Sequence, residues 1–379
     1  MSLSRREFVR VAGAACLTPA LPGFSRGDSA GASIARWPGY GGATVVDGLG
    51  GPLQFNIPQG GLPLTAEDLA RVAESGITAL NLTVGVVGSS APDPFRTTVD
   101  RIAAWDQELT RSSTALRGVR TLADLRDAKA TGRLGIIYGF QDAVPLEGRI
   151  ERLALFHEMG VRVIQLTYND RNRLGSGCLD PRDGGLSDFG HEVVGSMEEM
   201  GILVDLSHCG ARTTREAVEA STRPPSITHS GCSAIHPHPR NKDDETLRAL
   251  ADRGGVMGIY LMPFLNASGP PTAEDVLAHL DHALDVCGED HVGMGSDQGI
   301  VPLDVGGDFP ARFHAESQRR SAAGIAAPRE DTIPYVPDLN HPRRMETIAD
   351  LMSARGHSDR VVEKVLGANW ARLLGEVWR

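Results

Sequence analysis

The chain has 379 residues, 41% of them hydrophobic, and a formal net charge of −10. That length holds one large α/β domain or two smaller ones, with ample core. The acidic balance contains no basic stripe, so it excludes nucleic acid as an expected partner and reads most simply as a solvated surface.

Residues 1–30 read as an export signal outside the fold. Ser4-Arg5-Arg6-Glu7-Phe8-Val9 is a twin-arginine pattern, followed by a mild apolar run over 11–17 and then Pro19, Pro22 and Gly23. The run is too short to cross a bilayer, and no other transmembrane span is expected. The pattern implies bacterial export of a folded protein to the periplasm or the exterior. A chance arginine pair in a frayed terminus is the plainer alternative. Cys16 lacks the aliphatic residue three places earlier that a lipoprotein cysteine has.

Residues 31–379 read as a single domain in which short β-branched or glycine-bounded runs alternate with amphipathic stretches. Strands are expected over 44–48, 77–84, 134–141, 161–168, 202–208, 226–229, 256–261 and 291–297. Helical periodicity lies between and after them, over 66–75, 97–111, 150–159, 189–200, 214–221, 244–253, 272–287, 343–354, 359–366 and 370–377. Eight strands alternating with helices predict an α/β fold of the (β/α)8 TIM-barrel type. Function in that fold gathers at the carboxyl ends of the strands, where long loops over 169–187, 231–243 and 298–340 also begin. The last loop, rich in Gly and Pro, is a candidate lid.

Three strand ends carry metal-type ligands in order: Asp205-Leu206-Ser207-His208, Thr228-His229-Ser230 and Gly295-Ser296-Asp297. Two imidazoles and a carboxylate at one barrel mouth are what a hydrolytic metal site needs. Each histidine alone is more often a strand cap than a ligand; the ordered set favours a site.

These segments, with Gly160-Val161-Arg162, Gly185-Leu186-Ser187, Pro239-Arg240-Asn241, Gly254-Gly255-Val256 and Leu366-Gly367-Ala368-Asn369, resemble the membrane (renal-type) dipeptidase family of metallopeptidases, family M19. The similarity runs from about Asp47 to the C-terminus and implies a metal-dependent hydrolase barrel of the amidohydrolase type. In that family a two-metal site uses His-x-Asp on strand one, a bridging Glu on strand three, histidines on strands five and six, and Asp on strand eight. By this resemblance His208, His229 and Asp297 fall on ligand positions, whereas Leu49 and Gly51 replace the His-x-Asp pair and Gln141 replaces the bridging Glu. Tyr168 stands where the family has a His that polarises the scissile carbonyl, and Arg240 would grip a substrate carboxylate.

Leucine and glycine cannot bind a cation, and Gln141 offers only a neutral oxygen. At most one Zn²⁺ is therefore expected, held by His208 and His229 with Gln141 or Asp297. Asp47 is expected to be structural, and Asp142 to face away from Gln141. Cys178, Cys209 and Cys232 fall near the same mouth as small buried residues, thiolate ligands, or a Cys209–Cys232 disulfide. His236 and His238 read as loop-structuring.

The reading favoured is hydrolysis of an amide bond in a small peptide-like substrate with a free carboxylate. Asp297 would shuttle the proton, Tyr168 would steady the oxyanion, and Arg240, Tyr168 and Asn172 would bind substrate. The rivals are a catalytically inactive small-molecule or peptide-binding protein on the same scaffold, and a metal-independent hydrolase using the same mouth. A homodimer is compatible with each.

Overall fold

The computed structural model describes residues 35–54, 61–88, 92–322 and 326–378; the export signal read over 1–30 lies outside them. Among the described residues the main sheet has nine parallel strands and closes on itself. Eight form the barrel: β1 (Val46–Asp47), β2 (Ala79–Thr83), β3 (Leu134–Phe140), β4 (Val161–Gln165), β5 (Leu203–Asp205), β6 (Ser226–Ser230), β7 (Val256–Ile259) and β8 (Val292–Met294). Closure comes from β1, which pairs with β2 at Val46↔Ala79 and with β8 at Asp47↔Met294. The ninth strand, Leu116–Gly118, lies along the start of β3 at Leu116↔Leu134. This is the expected (β/α)8 barrel, with each expected strand overlapping an observed one.

Why these runs become strands is plain from β3, where all seven residues of Leu-Gly-Ile-Ile-Tyr-Gly-Phe are buried. A parallel strand covered on both faces needs continuous apolar character rather than alternation. The helices between strands carry local start and stop signals. Thr65 with Asp68, and Thr272 with Asp275, form reciprocal capping boxes. Gly76 ends the first helix, Ala66–Ser75, at φ 69°, a conformation that costs a side-chain-bearing residue about 1–2 kcal/mol.

At the amino-terminal end, a cluster including Val46, Ile137, Val163 and Leu203 packs on Trp370, whose indole Nε1 donates to the Met294 carbonyl at 2.9 Å. At the other end β1 and β8 continue as the short parallel pair Gly50–Gly51 with Gln298–Gly299. Gly295 is required here: a Cβ on it would sit 1.7 Å from the Thr228 carbonyl oxygen. Its absence lets β8 and β6 approach and aims Asp297 into the mouth.

Two helices were not anticipated. Leu122–Thr131 has weak amphipathicity, but its Thr121–Asp124 capping box and Gly132 stop were legible as a local signal. Phe309–Ala322 lies inside the segment expected only as a Gly- and Pro-rich lid. Among the described residues no helix is long and apolar enough to cross a membrane.

Candidate active site

The best-formed part of the mouth is the end of β5 and β6. Asp205 is fully buried, and its carboxylate accepts from Ser207 N at 3.1 Å, Ser207 Oγ at 2.6 Å, Thr228 N at 2.9 Å and Thr228 Oγ1 at 2.7 Å. The Thr228 hydroxyl proton thus points at Asp205. Its oxygen, 2.9 Å from His229 Nδ1, can only accept, so His229 carries its proton on Nδ1. His208 Nδ1 lies 2.7 Å from Asn169 Oδ1 and donates likewise. Both Nε2 atoms are therefore lone-pair acceptors, and they face each other at 3.0 Å.

Two lone pairs at that separation repel unless a cation lies between them. A proton is a poor candidate, because burial first, and then Arg240, push both imidazoles well below their ordinary basicity. A metal ion fits better. Two imidazole nitrogens on one tetrahedral zinc stand about 3.3 Å apart, and metal-ligating histidines characteristically donate their other N–H to a fixed acceptor.

The β1, β3 and β8 side of the mouth differs. Leu49 is 1% exposed, and its carbonyl accepts the Asp297 N–H at 2.8 Å. Asp47 points into the wall: its carboxylate accepts from Ser296 N at 2.6 Å and Ser296 Oγ at 2.5 Å, the structural role expected. Asp297 adopts φ 53°, and its Oδ1 is buried without a hydrogen-bond partner. Burial raises its pKa to about 7 against the opposing pull of Arg240 and a hydrogen bond from Gln141. Among the described residues no three His, Cys, Asp or Glu side chains converge tightly enough to hold a metal. Asp297 and Gln141 thus line the cavity with His208 without completing a carboxylate-bearing cluster on the histidine pair.

The cavity has a volume of about 180 Å³. Tyr168 forms one wall, stacked on His208 with ring centroids 4.2 Å apart. Burial holds its pKa up at about 12, and Arg320 of the lid helix hydrogen-bonds its hydroxyl. The guanidinium is a donor only, so the Tyr168 proton stays available. Arg240 also lines the cavity, but two of its nitrogens hold the Ser207 and His229 carbonyls, so it braces the histidine-bearing chain as well. Met262, Phe264 and Phe313 supply an apolar side, and the segment following β8 covers the opening with Phe313, Arg320 and Glu330.

Gln141, Tyr168, His208, Arg240 and Asp297 therefore meet around one cavity, with His229 behind His208. Asn172, expected to contact substrate, has its polar atoms on other groups of the chain in this structure. Its amide donates to Asp142 Oδ1 at 2.8 Å and to the Leu166 carbonyl at 2.7 Å, and its oxygen accepts from Leu174 N at 2.7 Å. The side chain is fully engaged in shaping its own loop. The Cys209–Cys232 disulfide is also corrected, since both thiols are free. Cys209 Sγ lies 3.3 Å from Thr167 Oγ1, and Cys232 Sγ contacts the His279 carbonyl at 3.5 Å. Cys178 contacts Asn169 Oδ1 at 3.5 Å. His238 structures its loop, accepting from Arg240 N at 3.1 Å and stacking on Phe264.

Sequence reasoning missed the partners that orient the histidines, Thr228 and Asn169, and the lid pair Arg320 and Glu330. A hydroxyl immediately before His229 was a visible hint; the lid contacts had no local signal.

The family model for membrane dipeptidase (peptidase family M19) matches residues 54–307. A crystal structure of an amidohydrolase from Pseudomonas aeruginosa is 33% identical, covers 89% of this chain and 98% of its own, and superposes with a TM-score of 0.77. Dipeptidase aclJ of Aspergillus oryzae is 34% identical over 251 residues, 65% of this chain and 52% of its own. A Rhodobacter sphaeroides metallo peptidase, liganded with a phosphinate mimic of the dipeptide L-Ala-D-Ala, is similar in fold at 21% identity, with a TM-score of 0.71 over 89% of this chain and 99% of its own.

Proposed function

The chain belongs to the membrane dipeptidase family of metal-dependent hydrolases, and from that premise we propose that it cleaves the amide bond of a small dipeptide-like substrate bearing a free carboxylate, with one Zn²⁺ rather than two. The observation that carries this reading is the His208–His229 pair, whose Nε2 atoms face each other at 3.0 Å while both Nδ1 atoms donate to fixed oxygens. When bound there, the ion supplies Lewis acidity and a more acidic water. The rest is the work of this chain's own groups. Asp297, whose carboxyl burial makes more basic than usual, takes and returns the proton. Tyr168, protonated at any ordinary pH and polarised by Arg320, donates to the oxygen on which charge develops. Arg240 offers its remaining donors to the substrate carboxylate. The apolar Met262 and Phe264 wall takes a side chain.

The second reading, a catalytically inactive binding protein, draws on the same geometry: Leu49, Gly51 and Gln141 leave the other half of the mouth without charged ligands, and no third acidic or thiolate ligand joins the histidines. We further propose that the protein is exported by the twin-arginine route, on the pattern at Ser4-Arg5-Arg6-Glu7-Phe8.

Elemental analysis of protein purified without chelator, paired with hydrolysis of a panel of L,L and L,D dipeptides, separates the readings. One zinc per chain with turnover supports the hydrolase. Zinc-free protein that binds dipeptides without cleaving them supports the binder, and two tightly held ions would contradict the single-metal site.

A further inference from the structure

The buried carboxylates around the mouth differ in how many donors they collect from their own chain. Asp205 accepts from both the N–H and the hydroxyl of Ser207 and of Thr228. Asp142 accepts from Gly88 N at 2.9 Å, Asn172 Nδ2 at 2.8 Å and Val144 N at 3.2 Å. Asp47 accepts from Ser296 N and Oγ, and from Leu49 N at 3.3 Å. Asp297 lines the cavity, 7% exposed, with a hydrogen bond from Gln141, and its Oδ1 is buried without a partner among the described residues. A buried carboxylate short of donors at a cavity wall is the pattern of a group whose donor arrives with a ligand.

Asp297 is also held where it stands. Its own N–H is bound by the Leu49 carbonyl at 2.8 Å. Before it, Ser296 N donates to Asp47 at 2.6 Å. After it, Gln298 Nε2 donates to the Pro334 carbonyl at 2.8 Å and the Leu261 carbonyl at 3.2 Å. With the chain pinned on both sides, the carboxylate stays at the wall instead of turning to another donor.

Its neighbours set the charge of that donor. Leu49, Gly51 and Gln141 at the adjoining strand ends are neutral, and among the described residues no three His, Cys, Asp or Glu side chains converge to hold a metal. A divalent ion asks for more charge and more oxygens than this corner supplies. A primary ammonium asks for less: one charge and three donors on one nitrogen, met by one carboxylate and a neutral amide oxygen. Arg240 lines the same cavity and offers the opposite charge.

We propose that Asp297, with Gln141 beside it, is the receptor for a protonated primary amine on the ligand, so that the mouth takes a small zwitterion with its ammonium on Asp297 and its carboxylate on Arg240. The inference rests on the reading that a small, peptide-like molecule with a free carboxylate enters this cavity. It requires neither a bound metal ion nor turnover, and it holds for the hydrolase and the binding protein alike. Receiving an ammonium is compatible with carrying a proton, because a carboxylate has two oxygens and about four lone-pair sites.

The experiment titrates three uncleavable ligands into the protein and reads affinity by ligand-observed NMR. 5-Aminolevulinate replaces the amide nitrogen of Gly-Gly with a methylene and keeps both charges. Levulinate lacks the amine, and 5-hydroxylevulinate carries a neutral hydroxyl in its place. A hydrogen bond to a charged group corresponds to about 10–100-fold in affinity, so 5-aminolevulinate should bind tighter than either analogue by that factor. Asp297→Asn should remove the difference without weakening levulinate. Glu316→Gln, a carboxylate at the rim of the same cavity, should preserve it. Equal affinity for 5-aminolevulinate and levulinate, or a hydroxyl as effective as the ammonium, overturns the proposal and leaves the peptide-like ligand standing. A difference that survives Asp297→Asn, or that Glu316→Gln abolishes, puts the ammonium elsewhere and also overturns it. If none of the three ligands binds, the amine receptor and the peptide-like ligand both fail.

Discussion

The two halves of the barrel mouth are built from opposite materials. On the β5–β6 side, one buried carboxylate, Asp205, gathers four donors and through Thr228 fixes the proton of His229, while Asn169 fixes that of His208. On the β1–β3 side the corresponding ends present buried Leu49, Gly51 and Gln141, none of which carries a charge, with the buried carboxylates Asp47 and Asp297 beside them. The first half turns two imidazole lone pairs toward each other, and the second carries neutral side chains at the same strand ends. The two halves can differ this much on one fold, because the strands are held by backbone pairing and core packing beneath the mouth, not by the residues at their ends.

The contrast is open to mutation. His208→Ala should remove measurable zinc binding, a drop of about a thousandfold or more, and also cost about 1–3 kcal/mol of stability, since the buried imidazole gives up its contacts with Asn169 Oδ1 and His229 Nε2. Zinc titration followed by calorimetric unfolding tests this, and retained binding would mean that the ion sits elsewhere. Leu49→Ala should cost stability alone: about 2–5 kcal/mol lost to a cavity, with zinc affinity unaltered. If denaturant unfolding shows no loss, Leu49 is not packing the vacated half as described.

Thr228→Val keeps the shape but removes the oxygen that accepts from His229 Nδ1. Zinc affinity should fall about 10–100-fold, measured by chelator competition. A value equal to wild type would show that the tautomer is set by something other than the Asp205–Thr228 chain.

The last effect appears only as pH is varied. The folded pKa of Asp297, about 7, stands above its ordinary 3.8 because burial penalises the charged form. The folded protein therefore holds more protons there than the unfolded chain between those values. The stability contributed is full below the ordinary pKa and is lost as pH rises through about 7. In zinc-free protein, Asp297→Asn should remain uncharged, so its stability relative to wild type should improve by up to about 4 kcal/mol between acid and mildly alkaline pH. A flat difference across that window would show that Asp297 is not desolvated in solution.

The strand ends that carry chemistry were legible because a strand and the turn after it are consecutive residues. Asp205 to His208 and Gly295 to Asp297 show both the apolar run and the polar stop within a few positions. The same locality hides the partners that distant parts of the chain supply. Asn172 follows Tyr168 into the mouth in sequence, yet its amide is taken by Asp142, 30 residues earlier, and by the Leu166 carbonyl. Cys209 and Cys232 each follow a site histidine closely, but the chain turns Cys232 toward His279 on a helix 47 residues away. The Phe309–Ala322 helix lay within a Gly- and Pro-rich stretch whose composition suggested only a loop.

By itself the sequence determined the barrel, the order of its strands and the residues at their ends, because periodicity, capping and side-chain chemistry are properties of neighbouring residues. Only the tertiary structure decided what those residues do to one another. The tautomer of His208 depends on Asn169, 39 residues before it, and Asn169 is met by Glu330, 161 residues after it. Hydrogen bonds of that span have no trace in local pattern. They exist because closing the barrel and seating the lid bring distant donors and acceptors into a buried space where each must find a partner.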